Sequence, residues 1–538
     1  MRNLMIGLLL FVGSMSQAQI QDAWVFFADK ENVQASLDNP LLILTQESLD
    51  RKALHEVVID ERDVPVNEAY IAAVKSSTGI TVWAKSKWMN CVYVQGTLAD
   101  IEALTDLSYV VGVEYADKDL NFPNPLPVVD KFELENQSQR IEYDYGAAAN
   151  QIEMISGDFL HQEDFTGEGM IVAVMDSGFP NFENNPGYAH VMANNRLLGT
   201  YDFFSRTTDV TGTGSHGSST TSDIGGYVEN QFVGTAPNAS FYLFRTEYGP
   251  SENPREEAWW VEALERADSL GVDVVNTSLG YQAYDNAHYD HSYEDLDGQT
   301  TFAARGANLA YEKGMLLVTS GGNQGNSFGT VATPADAIGI LAVGAVNAGG
   351  NYVSFSSRGP TVDGRVKPDV MAQGQSAAVL TTTGAVDFSN GTSFSAPIIA
   401  GAVACLWQVR PETKNFELME IIRQSAHLYQ NPTPQMGYGI PNFESAYAVL
   451  MGLGAEDLAR DAMIAIAPNP VQSHFRVSLP LFVGQAEVLI YDTLGQLIQH
   501  NQVTHTLDQV SMELLPRGLY LVEVKAPGVV NKFKILKQ

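Results

Sequence analysis

Short apolar runs alternate with helical stretches over residues 148–452, and this alternation limits the fold more than any other feature of the sequence. Runs such as MIVAVMD (170–176), VDVVNTSLG (272–280) and GILAVGAV (339–346) are continuously apolar, which is typical of strands buried on both faces. Helix-like segments such as EEAWWVEALERADSL (256–270) lie between them. The pattern predicts a doubly wound α/β domain with a mostly parallel sheet, whose ligands bind at the carboxyl ends of the strands.

Smaller units flank this region on both sides. Residues 19–147 combine short strand-like and helix-like segments with a proline-rich stretch, which predicts a small α+β unit followed by an extended linker. Residues 460–538 alternate apolar and polar positions between Gly and Pro, which is typical of a small antiparallel β-sandwich. Residues 1–18 place Arg2 before a short apolar run and small residues, and they predict a secretory signal peptide. No other run is long and apolar enough to suggest a membrane span, so we expect no transmembrane segment.

The charge balance is strongly acidic, with 63 Asp and Glu against 31 Lys and Arg and a formal net charge of −32. Nucleic acid and anionic membrane surfaces repel such a chain, which argues against both as partners. The two cysteines, Cys91 and Cys405, provide no disulfide framework and no CxxC metal motif. The composition therefore favours a globular protein that works outside the cell.

Three segments contain residue types that serve in catalysis, and we expect each of them at the edge of the sheet where an α/β domain binds its ligands. Asp176 ends the run MIVAVMD, and a carboxylate at a strand end can fix the tautomer of a histidine. His216 lies in GTGSHGSS, where Gly217 permits a tight turn beside the imidazole. Ser393 lies in SNGTSFSAP, before a helix of small residues whose free N–H groups can stabilise an oxyanion, and Thr392 is predicted to cap that helix. The three side chains together predict nucleophilic catalysis by a serine.

The order of the three candidate catalytic residues in the chain and the side-chain amide of Asn323 make this prediction more specific. The order Asp, His, Ser belongs to the subtilisin arrangement and differs from that of chymotrypsin-like enzymes and α/β-hydrolases. Ser395 stands where the GxSxG motif of esterases and lipases has Gly, which weakens that interpretation. Asn323 ends VTSGGN after another apolar run, and its amide can donate to a tetrahedral oxyanion alongside the backbone N–H of Ser393.

The blocks VAVMDSG, SHGSS, VVNTSLG, VTSGGN and GTSFSAP, in this order, resemble the signature blocks of subtilases. The resemblance implies a subtilisin-like peptidase domain over residues 148–452, with Asp176, His216 and Ser393 as the triad and Asn323 in the oxyanion hole. By the same resemblance, a peptide substrate should bind as an extended strand. The residues that the resemblance assigns to substrate binding are Ser278, Leu279, Gly280, Ser320, Gly321 and Gly322.

The flanking units carry resemblances of their own. WVFFADK and SKWMNCVYV resemble a subtilase propeptide, which implies that residues 19–147 inhibit the zymogen until autocleavage between about Asn121 and Ala149. APNPV, IYDTLGQLI, LPRGLYLVEV and the basic end of the chain resemble a type IX secretion sorting domain. These resemblances imply that the chain's own propeptide and a secretion machinery are partners. They also imply a product that is secreted or attached to the cell surface.

An acidic loop over residues 284–299 raises the question of a metal. Its carboxylates are Asp285, Asp290, Glu294, Asp295 and Asp297. Ca²⁺ prefers flexible loops rich in oxygen ligands, but the spacing matches no EF-hand and no HExxH motif is present. A solvated acidic loop is the favoured interpretation, and a structural calcium ion is the alternative. We assign no metal to the catalytic site, since acyl-enzyme chemistry requires no cofactor.

The sequence thus predicts a secreted serine endopeptidase that hydrolyses peptide bonds in protein or peptide substrates through an acyl-enzyme. Two alternatives stay open. One is an acyl esterase that uses the same triad, and the other is an inactive subtilase-fold surface adhesin. The chain keeps all three triad residues together with Asn323, which disfavours the inactive scaffold.

Overall fold

The computed structural model describes residues 19–121, 143–325, 329–452, 465–467, 471–478, 485–492, 496–504, 509–526 and 529–537. The predicted signal peptide and most of the predicted cleavage segment lie outside the described residues. Three units are described below in chain order, and the N-terminal domain is residues 19–121.

The N-terminal domain is a small antiparallel sheet with four short helices. The strands follow the order β2-β3-β1-β4 in the sheet, and all neighbours are antiparallel. Thr45 and Thr97 cap α2 and α4 through their side chains, as is usual for threonine before a helix. The elements are β1 (Ile20–Phe27), α1 (Val33–Asp38), α2 (Gln46–Leu54), α3 (Glu68–Ser76), β2 (Thr81–Ser86), β3 (Cys91–Thr97), α4 (Leu98–Glu102) and β4 (Val110–Tyr115).

The central domain contains the predicted alternation of strands and helices. Its first part comprises α5 (Ala149–Glu153), α6 (Gly157–Gln162), β5 (Ile171–Asp176), α7 (Ala189–Ala193), β6 (Leu197–Asp202), α8 (His216–Gly225), β7 (Tyr227–Val228), β8 (Phe232–Val233), β9 (Ser240–Arg245), α9 (Arg255–Ser269) and β10 (Val274–Thr277). Its second part comprises α10 (Phe302–Glu312), β11 (Leu316–Ser320), β12 (Ile340–Val346), β13 (Val370–Gln373), β14 (Ala377–Leu380), β15 (Val386–Ser389), α11 (Thr392–Val409), α12 (Asn415–Ser425) and α13 (Phe443–Leu450).

Seven of these strands form one parallel sheet in the order β13-β12-β11-β10-β5-β9-β6. Successive residues of each strand point to opposite faces, and both faces are covered. Val172 and Val174 of β5 face a core that includes α11, whereas Ala173 and Met175 face a core that includes α9 and α10. The expected doubly wound α/β domain is therefore confirmed, and the carboxyl ends of its strands share one edge.

The sheet of the N-terminal domain packs against α9 and α10 of the central domain. Trp24 of β1 stacks on Phe302 of α10, with ring centroids 4.8 Å apart. Glu265 of α9 accepts hydrogen bonds from Ser86 Oγ (2.6 Å) and from two backbone N–H groups of the turn after β2 (2.7 and 3.0 Å). Burial raises the pKa of Glu265 to about 7. The contact therefore joins an apolar stack to a buried carboxylate.

A second contact between the two domains is ionic and buried. Arg51 Nη2 lies 2.5 Å and Lys52 Nζ 2.7 Å from Oδ1 of Asp268, at the end of α9. Asp63 of the N-terminal domain lies 3.3 Å from Lys52 Nζ and 2.8 Å from Nζ of Lys313, which follows α10. The side chains of these five residues, called here the ion network, are at most 4% exposed. The ion network therefore ties the N-terminal domain to the central domain away from the sheet contact.

The C-terminal unit consists of two antiparallel sheets around one apolar core. One sheet has the order β16-β17-β20 and the other β19-β18-β21-β22. Their shared core includes Val477, Val488, Val503 and Val522. This is the expected β-sandwich. Its strands are β16 (Ala465–Ala467), β17 (His474–Ser478), β18 (Gln485–Tyr491), β19 (Leu497–Thr504), β20 (Gln509–Ser511), β21 (Gly518–Ala526) and β22 (Val529–Lys537).

Within the described residues, α11 is the one helix long and apolar enough to cross a membrane, and 89% of it is buried inside the protein. It is therefore a core helix. Cys405 on α11 and Cys91 on β3 are both buried and unpaired with each other.

Candidate active site

Asp176 is the last residue of β5 and lies at the carboxyl edge of the sheet, fully buried. Its Oδ1 accepts a hydrogen bond from the backbone N–H of Ser177 (2.7 Å), and its Oδ2 accepts one from Thr220 Oγ1 (3.2 Å). These donors fix the orientation of the carboxylate. Hydrogen bonds from a backbone N–H and a hydroxyl hold the carboxylate in place to accept a further bond from a histidine.

His216 is the first residue of α8 and faces Asp176. Its Nδ1 lies 2.8 Å from Oδ1 and 2.9 Å from Oδ2 of that carboxylate. The negative charge of Asp176, opposed by burial, raises the pKa of His216 above its usual value. Gly217 is required for this approach, because a Cβ there would lie 2.6 Å from the carbonyl of Gly178 and 2.9 Å from Cβ of Asp176. The Nδ1–H bond leaves Nε2 as the nitrogen that can accept a proton.

Ser393 lies in the first turn of α11 and is 9% exposed. Within the described part of the chain, its Oγ donates to the carbonyl of Ser278 (3.4 Å) instead of to His216. The His216 ring lies beside Phe394, with ring centroids 5.8 Å apart. Catalytic hydrogen bonds commonly tighten only when substrate is bound, so this long contact is compatible with a nucleophile.

Asn323 and Thr392 are joined across the site. Oδ1 of Asn323 accepts hydrogen bonds from the backbone N–H of Thr392 (2.9 Å) and from its Oγ1 (3.0 Å). Both bonds use the oxygen, so the Nδ2–H donors face the other way. The prediction that Thr392 caps α11 is wrong: the N-cap is Gly391 with no side-chain cap bond, and Thr392 is the first helical residue, whose hydroxyl donates to Asn323 and accepts from the backbone N–H of Gly322 (3.2 Å).

Gly391 keeps open the space between two donors. It adopts φ 148°, and a Cβ on it would lie 3.6 Å from both Asn323 Nδ2 and the backbone N of Ser393. The two N–H groups therefore border the same small volume. An oxyanion hole needs two donors arranged in this manner.

The predicted substrate-binding residues form two neighbouring segments beside Ser393. Ser278 donates its hydroxyl to the carbonyl of Ser393 (2.8 Å), and Ser320 Oγ lies 3.4 Å from the carbonyl of Leu279. The backbone N–H of Gly321 donates to Val343 (2.8 Å). The other predicted members, Gly280 and Gly322, lie in the same two segments. The structure thus brings all six together, while their role toward a ligand stays a prediction.

One buried acid beside the site was not foreseen from the sequence. Glu247 follows β9 and accepts hydrogen bonds from the hydroxyls of Tyr281 (2.9 Å) and Thr246 (3.1 Å). Burial raises the pKa of Glu247 to about 7, and its charge helps to raise the pKa of His216. The signal available in the sequence was its position directly after a buried strand, the same placement that pointed to Asp176.

Two carboxylates of the acidic loop accept hydrogen bonds from the backbone of the loop itself. Asp290 Oδ1 accepts from the backbone of Tyr284 (2.8 Å), and Asp297 Oδ1 accepts from the backbones of Gln299 (2.8 Å) and Thr300 (2.7 Å). These carboxylates are turned to backbone donors and do not converge on one point. Among the described residues, one set of three potential ligands lies within 4.8 Å, namely Asp117, Asp119 and His288. That set offers two carboxylates and one imidazole, whereas Ca²⁺ prefers oxygen ligands, and the structural calcium ion stays a prediction.

Comparison with known proteins assigns a family to each unit. The model of the subtilase family (peptidase S8) matches residues 167–440, about half of the chain. A peptidase S8 propeptide domain of Bacteroidota matches residues 22–135, and a secretion system C-terminal sorting domain matches residues 465–538. The expected propeptide and sorting domain are therefore confirmed, and the sorting domain implies secretion or display at the cell surface.

Individual relatives are similar over the central domain. Serine protease AprX of Bacillus subtilis is 27% identical over 311 residues, which cover 52% of this chain and 66% of that protein. Subtilisin E of the same species is 29% identical over 299 residues, covering 55% of this chain and 70% of the relative. The rat membrane-bound transcription factor site-1 protease is 30% identical over 258 residues, covering 47% of this chain and 22% of the relative. The chain thus spans less than two thirds of two of these relatives.

Among solved structures, the MycP3 protease from the type VII (ESX-3) secretion system matches with 20% identity and a TM-score of 0.46. That match covers 61% of this chain and 97% of the other. The family assignment itself follows from the sequence, since the subtilase match extends over the strands and helices that carry Asp176, His216, Asn323 and Ser393. This chain belongs to the subtilase family of serine peptidases.

Proposed function

We propose that the protein is a secreted serine endopeptidase, with Asp176, His216 and Ser393 as its catalytic triad. The observation that carries this proposal is the bond from His216 Nδ1 to the buried Asp176 carboxylate, next to a serine at a helix N-terminus. Three elements far apart in the chain contribute these groups to one edge of the sheet. Such a constellation suits nucleophilic attack on an acyl group.

The reaction begins with proton transfer from Ser393 Oγ to Nε2 of His216. Oγ then attacks the carbonyl carbon of the scissile peptide, whose C–O double bond opens to give a tetrahedral oxyanion. Asp176 stabilises the imidazolium, which next donates the proton to the leaving amine as the C–N bond breaks. Water repeats the sequence on the acyl-enzyme, releasing the acid and restoring Ser393.

The oxyanion is held by Asn323 Nδ2–H and the backbone N–H of Ser393. Supporting this role, the bonds from Thr392 to Oδ1 turn the amide so that its N–H groups face the space beside Gly391. Since these donors are fixed before the reaction, they need no reorganisation in the transition state. The chemistry requires no cofactor.

Protein or peptide substrates bind in extended form between the segments 278–280 and 320–322. Backbone groups of these segments pair with the substrate, in the manner of an added strand. The contact between Ser320 Oγ and the carbonyl of Leu279 supports this arrangement, because it joins the two segments, and the bond from Ser278 to the carbonyl of Ser393 places the first segment beside the nucleophile.

The N-terminal domain acts as the intramolecular inhibitor of a zymogen, and cleavage between about Asn121 and Ala149 separates it from the enzyme. Its contacts with the peptidase domain, among them the stack on α10 and the ion network, support an inhibitor that stays bound after cleavage. The C-terminal sandwich directs export and is then removed, which leaves the enzyme released or attached to the cell surface.

The test compares wild type with Ser393→Ala, expressed without residues 1–18. Casein cleavage and intact mass are followed together. Wild type should cleave casein and lose the segment from residue 19 to a point between about Asn121 and Ala149, roughly 100–130 residues, while Ser393→Ala should do neither. Ser395→Ala is the matched control, because it removes a hydroxyl of the same helical turn that donates to the carbonyl of Thr392 (2.9 Å), and it should stay active.

Two outcomes would contradict the proposal. If wild type and Ser393→Ala behave alike and neither cleaves casein, the triad is idle and the adhesin alternative takes over. If wild type hydrolyses short esters but no protein, the esterase alternative is correct.

A further inference from the structure

A lysine from the end of the N-terminal domain is held by three acceptors of the acidic loop. Lys118 Nζ lies 2.6 Å from Oδ2 of Asp295, 3.0 Å from Nδ1 of His291 and 3.3 Å from the carbonyl oxygen of Asp290. An ammonium has three N–H donors, so each of them finds one acceptor. Asp295, His291 and the Asp290 carbonyl are called here the lysine pocket.

The pocket is built by the peptidase domain itself. Because an ammonium can only donate, Nδ1 of His291 must accept, and Nε2–H then donates to Glu257 (2.7 Å). Glu257 is fully buried and is also held by the backbone N–H of Ala303 (2.9 Å). Asp295 is fixed by the backbone and hydroxyl of Ser292 (2.6 and 2.8 Å). None of these supporting contacts involves the N-terminal domain, so the acceptors keep their places when it leaves.

The pocket lies along the path of the substrate. His291 donates its backbone N–H to the carbonyl of Gln282 (2.8 Å), two residues beyond the segment 278–280. The segment 278–280 begins beside Ser393. The Ser278 hydroxyl donates to the carbonyl of Ser393, and the Ser393 hydroxyl donates to the carbonyl of Ser278. Four residues lead from Ser278 to Gln282, so at about 3.3 Å per fully extended residue Gln282 lies at most roughly 13 Å from Ser278, the length of about four residues of a bound strand.

We propose that the lysine pocket is a substrate subsite that binds a lysine side chain about four to six residues before the scissile bond. The proposal rests on the endopeptidase function. Lys118 lies on the amino-terminal side of the predicted cleavage segment, which begins at about Asn121. A substrate lysine on the amino-terminal side of the scissile bond would therefore reach the lysine pocket with its chain running in the same direction. Three acceptors around one point suit the compact ammonium of lysine, whereas the planar fork of arginine requires acceptors side by side.

The test uses mature enzyme and paired peptides. A sequence that the enzyme cleaves in casein, located by mass spectrometry, supplies the parent peptide. Lysine or methionine is placed in turn four, five and six residues before the cleaved bond. At one of these positions wild type should cleave the lysine peptide with a kcat/KM roughly five- to ten-fold higher, the size of one partly exposed charge-assisted hydrogen bond. Arginine should give a smaller gain.

Asp295→Asn should abolish most of this preference, and a melting temperature equal to that of wild type shows that the variant is folded. Glu294→Gln is the matched control, since it removes the same charge from the neighbouring exposed residue, and it should keep the preference. Equal cleavage of lysine and methionine peptides by wild type would overturn the lysine pocket and leave the endopeptidase standing. If wild type cleaves no peptide, both proposals fall together.

Discussion

Removing one cation from the ion network should speed release of the cleaved N-terminal domain. Asp268 is fully buried between Arg51 and Lys52, and Arg51 also donates from Nη1 to the carbonyl of Lys313 (2.7 Å). In Arg51→Met the apolar stem is kept and both of these bonds are lost. Asp268 reaches water once the N-terminal domain has left, so the loss weakens only the bound state.

The magnitude follows from what remains around Asp268. Breaking a buried charge pair costs about 3–5 kcal/mol when the remaining charge has no partner. Lys52 still contacts both oxygens of Asp268, at 2.7 and 3.0 Å. We therefore expect about 2–3 kcal/mol, below that range. Because about 1.4 kcal/mol is a factor of ten, the dissociation constant should rise roughly 30- to 150-fold, mostly through faster dissociation.

The assay follows intact mass and peptide hydrolysis in parallel, so that the interval between cleavage and the appearance of activity is measured. Arg51→Met should shorten this interval by about the same factor of 30 to 150. Glu56→Gln is the control, because Glu56 is 61% exposed and lies 3.3 Å from Lys414 across the same interface. Exposed pairs contribute little, so its interval should change by less than about three-fold. An unchanged interval in Arg51→Met would refute the role given to the ion network.

Three further outcomes are expected. The acid limb of the kcat/KM profile should lie above 6.5, the ordinary pKa of histidine, because the neutral form of His216 is the base and its pKa is raised; a limb at or below that value would contradict the geometry. Thr392→Val should lower kcat by roughly ten-fold, because Asn323 loses the hydroxyl donor that orients it, and should slightly lower the melting temperature, because the backbone N–H of Gly322 loses its acceptor. Gly401→Ala should destabilise the peptidase domain by about 1–3 kcal/mol in thermal unfolding, since a methyl group there collides with Thr235 Oγ1.

The parallel sheet and the triad were predictable because buried strands and the catalytic residues at their ends each give a recognisable pattern within a few neighbouring residues. Strands covered on both faces are continuously apolar, and that pattern located β5 and β12. Functional side chains then follow where such strands end, which pointed to Asp176 and Asn323. Each of these signals is contained in a few neighbouring residues.

Side-chain contacts between segments that are distant in the chain could not be predicted, because no local sequence pattern indicates them. Arg51 and Lys52 have the composition of a solvent-exposed helix, and their partner Asp268 is 217 and 216 residues away. Thr392 has the sequence of a helix cap, but its hydroxyl bonds Asn323, 69 residues away. Secondary-structure propensity indicates which local hydrogen bonds a side chain can form, but the tertiary fold determines which partner it bonds.

A single segment of the peptidase domain connects inhibition with substrate recognition. It runs from Ser278 beside the nucleophile, through the lysine pocket, to Thr301, whose hydroxyl caps the helix α10 on which the N-terminal domain lies. Lys118 and a substrate lysine would compete for the same acceptors. Asp295→Asn should therefore reduce both the retention of the N-terminal domain and the preference for lysine substrates. Arg51→Met should reduce retention alone, because the ion network lies outside the cleft. The two variants thus separate an anchor of the inhibitor from a site that the inhibitor shares with substrates.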